Sequence, residues 1–219
     1  MTVDSVRRIS SQPPAERVEE LVYENFEFVF ENEAEREILV SPQNYPFDQP
    51  YIIYGTFEYE SEPLFGSPTE SRGRFQIRQH SQLIISESEN SVPNAKKVLE
   101  ALAEAVSSQE DSGDFSPEEM AELRPKASSI SDFINRADRL IEAEILDSRG
   151  DLVTIEDPSD GRLETNPIER LQLRFTKKVN GTEHSTTVVY SDDQIRIDDE
   201  SCEIREYVLQ HFESAFASE

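Results

Sequence analysis

The chain has 219 residues, of which 46 are acidic and 21 basic, for a net charge of −25. Leu, Ile, Val and Phe together number 56, about a quarter of the chain and above the ~20% below which a charged chain stays unfolded. These figures exclude a wholly disordered polymer and a broad basic face for nucleic acid, and no apolar run approaches the ~20 residues of a membrane span.

Residues 1–12 read as a polar tail. Pro13-Pro14 opens a short helical pattern, with Ser11 as a cap and Val18, Leu21 and Val22 on one face. The period then changes. Phe26, Phe28 and Phe30 alternate with Glu27 and Val29, as a half-buried strand does, and Glu37–Val40 reads as a second strand. A Pro-rich connector, Ser41–Pro50, leads to a third strand at Tyr51–Tyr59, with Tyr51, Ile53, Gly55, Phe57 and Tyr59 on one side. Ser61–Gly73 contains Pro63, Gly66, Pro68 and Gly73 and reads as a loop. Phe75–Ile77 and Leu83–Ile85 are strands. Ser91 caps a helix with Ala95, Val98, Leu99, Leu102 and Val106 on one stripe.

Ser107–Asp114 holds no large apolar residue and has the composition of a linker. Ser116-Pro117 then predicts a cap and a first-turn proline, opening a short helix that Pro125 ends. Beyond it, Ser131 caps a helix with Phe133, Ile134, Ala137, Leu140, Ile141 and Ile145 on one stripe. Leu152–Ile155 is a strand, followed by a turn at Asp157–Gly161. Leu171, Leu173 and Phe175 alternate with polar residues, and Asn180-Gly181 joins that strand to Thr186–Tyr190. An Asn-Gly pair between two strand patterns predicts a type I′ hairpin, because both residues tolerate positive φ. Ile195–Ile197 is a last strand, and Ser201 caps a helix with Ile204, Tyr207, Val208, His211, Phe212 and Ala215 on one face.

The expected architecture is α+β. It has two similar halves, 13–106 and 131–219, each an antiparallel sheet flanked by an N-terminal and a C-terminal helix. An acidic, Ser-rich linker with a short helix, 107–130, separates them. The halves end alike: Gln82-Leu83-Ile84-Ile85 resembles Gln194-Ile195-Arg196-Ile197, and Val98-Leu99, Leu102 and Ala105 correspond to Val208-Leu209, Phe212 and Ala215. This pattern suggests an internal repeat.

The residues of catalytic chemistry are sparse. His80, His184 and His211 follow no metal-ligand spacing, and His211 reads as a packing residue on a helix face. The seven glycines form no phosphate-cradling loop. Cys202, the single cysteine, lies among Asp198, Asp199, Glu200 and Glu203, whose charge opposes a reactive thiolate. Asp192-Asp193 and Asp198-Asp199-Glu200 flank one strand but lack calcium-loop spacing, so they read as a solvated acidic turn. No cofactor and no metal are expected. Asn180-Gly181-Thr182 matches a glycosylation sequon but reads as the hairpin turn.

Two features stand out as contact surfaces. Arg74 and Arg78 share a strand face with Gln76, and Arg170, Arg174, Lys177 and Lys178 line a comparable strand. Cross-strand pairing with glutamates is the expected fate of these cations. Tyr45, Phe47 and Phe65 lie in Pro-rich loops, where aromatic residues commonly make partner contacts.

Sixteen Arg against five Lys, on so acidic a chain, resembles salt-adapted halophilic proteins, in which molar salt screens the repulsion. The N-terminus shows no apolar run after Arg7-Arg8, so a cytoplasmic location is expected. The expected function is that of a non-enzymatic binding protein of salt-adapted type. It would contact a protein partner or itself, without a membrane. The alternatives are an enzyme with a cavity between helix and sheet, and a nucleic-acid-associated or nucleic-acid-mimicking protein.

Overall fold

The computed structural model describes residues 3–9, 20–40, 45–47, 51–61, 68–78, 81–88, 93–108, 120–122, 127–191, 194–199 and 201–216. They form a mixed α+β structure with two antiparallel sheets. Its contacts divide it into two units, one of Thr2–Glu37 and Gln49–Leu123, the other of Ile38–Asp48 and Arg124–Glu219.

In the first unit the strands are β1 (Val3–Ile9), β2 (Glu20–Tyr23), β3 (Phe26–Glu35), β4 (Tyr51–Ser61), β5 (Thr69–Arg78) and β6 (Leu83–Ser88). Their spatial order is β2-β3-β4-β5-β6-β1, and a three-residue strand β7 (Met120–Glu122) pairs with β1. Helix α1 (Ala95–Ser107) packs on one face of this sheet. Alternation on the strands sends Leu21, Phe26, Phe28, Ile53, Phe57, Tyr59, Phe75, Ile77 and Ile84 to that face, where they meet Val98, Leu99, Leu102 and Val106.

Two glycines shape this core. Gly55 is paired with Phe75, and Gly73 with Phe57. A Cβ on Gly55 would lie 2.1 Å from the Phe75 ring, and one on Gly73 would lie 2.5 Å from the Phe57 ring and 2.2 Å from the carbonyl oxygen of Glu87. Each ring therefore lies over the bare backbone of the neighbouring strand, as aromatic side chains do when they cover strand glycines. Gly73 belongs to a strand for this reason, and β5 begins at Thr69, inside the segment expected as loop.

The second unit contains α2 (Ala127–Arg136), β8 (Arg139–Leu146), β9 (Leu152–Ile155), a 3₁₀ turn at Gly161–Glu164, β10 (Ile168–Val179), β11 (Thr182–Ser191), β12 (Gln194–Ile197) and α3 (Cys202–Phe216). Its sheet runs β9-β8-β10-β11-β12. Asn180 and Gly181 have φ of +49° and +85°, the left-handed pair of a type I′ turn, and β10 and β11 pair from Arg170↔Ser191 to Val179↔Thr182. The core is aromatic: Phe133 of α2 has ring centroids 5.5 Å from Phe175, 5.4 Å from Phe212 and 5.7 Å from Phe216.

Several local readings are revised. Val3–Ile9, expected as tail, is a strand registered with β6 from Val3↔Ser88 to Arg8↔Leu83. Leu21 and Val22, expected on a helix, belong to β2, because Leu21 and Val22 pair with Phe28 and Glu27. Met120–Glu122, expected as helix, pairs with β1 instead. The helix expected to reach Ile145 stops at Arg136. Leu140 and Ala143 then pair with Leu173 and Leu171, and the ladder overrides a stripe that fits both periods. Helix α1 is capped by Asn94, whose side chain accepts from the Lys97 amide at 2.9 Å, rather than by Ser91. The opening helix at 13–19, the linker at 109–119, His80 and Phe65 lie outside the described residues. Both units contain three consecutive antiparallel strands followed by a helix: β4-β5-β6-α1 and β10-β11-β12-α3.

Candidate interaction surface

The first sheet has a second face, opposite α1. Alternation places Glu20 and Val22 of β2, Glu27 and Val29 of β3, Tyr54, Thr56 and Glu58 of β4, and Arg72, Arg74 and Gln76 of β5 on it. They form cross-strand rows, Val22–Glu27–Glu58–Arg72 and Glu20–Val29–Thr56–Arg74. One end of this face is buried, at Ile52, Arg78, Leu83 and Ile85. The other end is open, with Val22 67% and Val29 38% exposed. Among the described residues only Leu152 is a further exposed large apolar side chain.

A groove of about 380 Å³ runs along the open end. Val22, Glu27, Glu58, Glu60, Glu70 and Arg72 line it. The Arg72 guanidinium pairs with Glu58 across the strands at 3.0 Å, both side chains being more than half exposed. The groove therefore carries an excess of carboxylates, with Val22, Phe26 and Tyr59 as its apolar part. Its lining includes neither histidine nor cysteine. Further along β4, the Arg36 guanidinium lies over the Tyr54 ring, 4.6 Å from its centroid, and donates to its hydroxyl.

The sequence-selected residues are dispersed. Arg74 and Gln76 lie on the open face, as their spacing predicts. Arg78 shares that face but is 1% exposed and donates to Gln76 at 3.1 Å, so it offers no surface. Arg170 is half-buried and donates to Glu142 of β8 at 2.6 Å. Arg174 is exposed on β10, in register with Thr187 and Arg139. Tyr45 is 6% exposed, and its hydroxyl donates to Glu213 at 2.8 Å. Phe47 is half-buried, edge-on to the Tyr45 ring at 5.3 Å. Tyr45, selected as a surface contact, is therefore a core residue, because Glu213 of α3 takes its hydroxyl. Val22 and Val29 were missed as surface residues. The sequence pattern fits Val22 to a helix face, and only pairing with β3 turns it to the open side.

The segment expected as strand at Glu37–Val40 pairs with no strand among the described residues. The amides of Leu39 and Val40 instead donate to Oε1 of Gln210 at 2.7 and 3.3 Å. Lys177 donates to the Leu39 carbonyl at 2.6 Å, and its ammonium sits 4.5 Å from the centre of the Tyr207 ring. Beside these, His211 is 8% exposed between Phe175 and Tyr207, with ring centroids at 5.5 and 4.6 Å, and neither ring nitrogen has a hydrogen-bond partner. Burial holds its imidazole down to about 4; Arg136 and Lys177 push the same way, against Asp138 and Asp132. Burial, then Asp138, raises the Tyr207 phenol.

Cys202 is exposed at the start of α3, and Ser201 accepts from the Ile204 amide at 3.5 Å. Among the described residues no group of His, Cys, Asp and Glu has the geometry to hold a metal ion, and no helix is long and apolar enough to cross a membrane. Comparison with protein-family models, with curated proteins and with solved structures gives no match.

Proposed function

We propose that the protein is a salt-adapted binding protein that takes a protein partner on the open face of β2–β5. One observation carries the reading: Val22 and Val29 stand exposed on adjacent strands of an ordered sheet, beside a groove rimmed by carboxylates. An exposed apolar patch with a polar rim is the usual composition of a contact site. The excess of Glu around it favours a partner surface that is basic around an apolar centre. The charge of −25 belongs to the solvent rather than to this patch. At about 1 M KCl the Debye length falls to ~3 Å, so the long-range repulsion is screened while contact pairs persist.

The test is affinity capture at about 1 M KCl with the wild-type chain and the Val22→Asp/Val29→Asp double variant, both checked for folding by circular dichroism. A specific partner retained by the wild type and lost by the variant supports the reading. A partner set that both chains capture equally overturns it. Circular dichroism against KCl concentration tests the salt adaptation separately, with loss of structure expected below molar salt.

A further inference from the structure

The first sheet ends in an open strand. Among the described residues β2 has β3 as its one strand neighbour, so its outer edge carries backbone groups that no ladder takes up. Which groups these are follows from the hairpin. Glu24 and Asn25 form the two-residue loop between the closing residues Tyr23 and Phe26. In such a hairpin the closing residues exchange both of their backbone hydrogen bonds, and bonded and non-bonded pairs then alternate along the ladder. The far side of β3 gives the same phase. The Asn25 carbonyl accepts from the Glu60 amide at 3.1 Å, so Asn25 and Glu27 face β4 while Phe26 and Phe28 face β2. Tyr23 and Leu21 therefore bond to β3, and the N–H and C=O groups of Val22 and Glu20 point away from it.

The same two residues hold the exposed side chains of β2. Lysine, proline and bulges, the usual guards of a sheet edge, are absent from this strand. The cross-strand rows of the open face run out here. A strand added beside β2 would extend the row Val22–Glu27–Glu58–Arg72 by one residue and the row Glu20–Val29–Thr56–Arg74 by another, two positions apart. The favourable neighbour of Val22 is apolar, and that of Glu20 is Lys or Arg. The groove adds five glutamates against the single cation Arg72. A second copy of the chain would bring its own Glu20 and its net charge of −25 to this edge, which that field opposes. The charge therefore selects a basic occupant.

We propose that the partner is held by strand addition: an extended basic segment pairs with the outer edge of β2. Its backbone bonds Val22 and Glu20, with an apolar side chain beside Val22 and a Lys or Arg beside Glu20. Main-chain bonds supply affinity in this mode, and the alternate side chains set the register. The inference rests on the reading of this face as a protein-contact site and adds the element that binds there.

The probe is the capped peptide Lys-Thr-Val-Thr-Lys-Thr-Val-Thr-Lys, which puts Lys and Val on one face of a strand. A control peptide carries Glu in place of each Lys. Hydrogen exchange of the full chain is followed by NMR at about 1 M KCl. The Lys peptide should slow the Val22 and Glu20 amides by about tenfold or more, and leave Leu21 and Tyr23, already bonded to β3, within about twofold. The Glu peptide should leave all four unchanged. Val22→Pro spares the β2–β3 bonds, because the Val22 N–H points outward, and should weaken binding of the Lys peptide by about tenfold or more. Val22→Thr keeps the N–H and the branched shape and should stay within about threefold of the wild type. No binding of the Lys peptide, or protection at Leu152–Ile155 of β9 instead of β2, overturns the proposal. So does Val22 protection that rises with protein concentration in the absence of peptide, the mark of a second copy. Binding that shifts the Thr56 and Arg74 resonances without protecting Val22 and Glu20 overturns strand addition and leaves the contact-face reading standing. That reading fails separately, through equal capture by the Val22→Asp/Val29→Asp variant.

Discussion

Helix α1 turns Lys96, Lys97, Glu100 and Glu104 to solvent and buries Val98, Leu99, Leu102 and Val106 against its sheet. Helix α3 follows three antiparallel strands in the same order, yet every residue from Val208 to Phe216 is buried, including Gln210, His211, Glu213 and Ser214. Helix α1 behaves as an amphipathic surface helix. On α3 polar residues that would face water instead hold residues far away in sequence: Gln210 takes the amides of Leu39 and Val40, and Glu213 takes the Tyr45 hydroxyl. A polar helical stripe is therefore a solvent face in one unit and a socket in the other. What separates them is whether another segment arrives to satisfy the buried groups.

The contrast can be broken from either side. The apolar unit should fail through volume. Gly73→Val places carbon against the Glu87 carbonyl and the Phe57 ring, neither of which can move away without disturbing β4 or β6. A loss of more than about 3 kcal/mol is expected in denaturant titration at molar salt. Gly161→Ala, with nothing within 4 Å of the new carbon, should be nearly silent.

The polar unit should fail through unsatisfied groups. Gln210→Leu keeps the volume but takes from the amides of Leu39 and Val40 the acceptor Oε1 and removes the Nε2 bond to Glu206. About 3 kcal/mol should be lost, and hydrogen exchange of the Leu39 and Val40 amides should accelerate more than that of β10. Equal acceleration throughout the unit would remove the distinction between socket and core.

His211 sharpens the comparison through pH. Its folded pKa of about 4 lies below the ordinary 6.5, so the folded state disfavours the charged ring. Above pH 7 the ring is neutral folded or unfolded, and stability is undiminished. As pH falls from 6.5 to 4 only the unfolded chain takes up the proton, and stability drops by about 3 kcal/mol in all. His211→Phe should abolish that share of the acid sensitivity, read as the difference between the two chains in unfolding curves at pH 7 and pH 4.5. An identical pH dependence in both would show that the ring is not shielded.

A smaller loss belongs to Arg170→Ala. Its pair with Glu142 is partly exposed, so a loss below about 1 kcal/mol is expected, shrinking further as KCl rises.

Strand periodicity was legible wherever a strand has one buried and one polar face, as in Phe26–Phe30, Tyr51–Tyr59 and Leu171–Phe175. The Asn180-Gly181 hairpin was legible for a different reason: its backbone conformation is set by the two residues themselves. The candidate surface was only partly so. Arg74 and Gln76 were placed on their face by alternation alone, but Arg78, two residues on, is buried. Tyr45 carried no signal separating a loop aromatic at a surface from one buried against a helix.

The sequence by itself determined the α+β class, the apolar face of each strong element and the turn chemistry, because these depend on residues near one another in the chain. The tertiary structure alone decided which ambiguous segments became strands, and that Leu39, Val40 and Tyr45 would be held by α3. Those outcomes depend on partners far away in sequence. Val3–Ile9 becomes a strand because β6 offers it a ladder, and Ile38–Val40 forgoes one because Gln210, some 170 residues on, satisfies its amides instead.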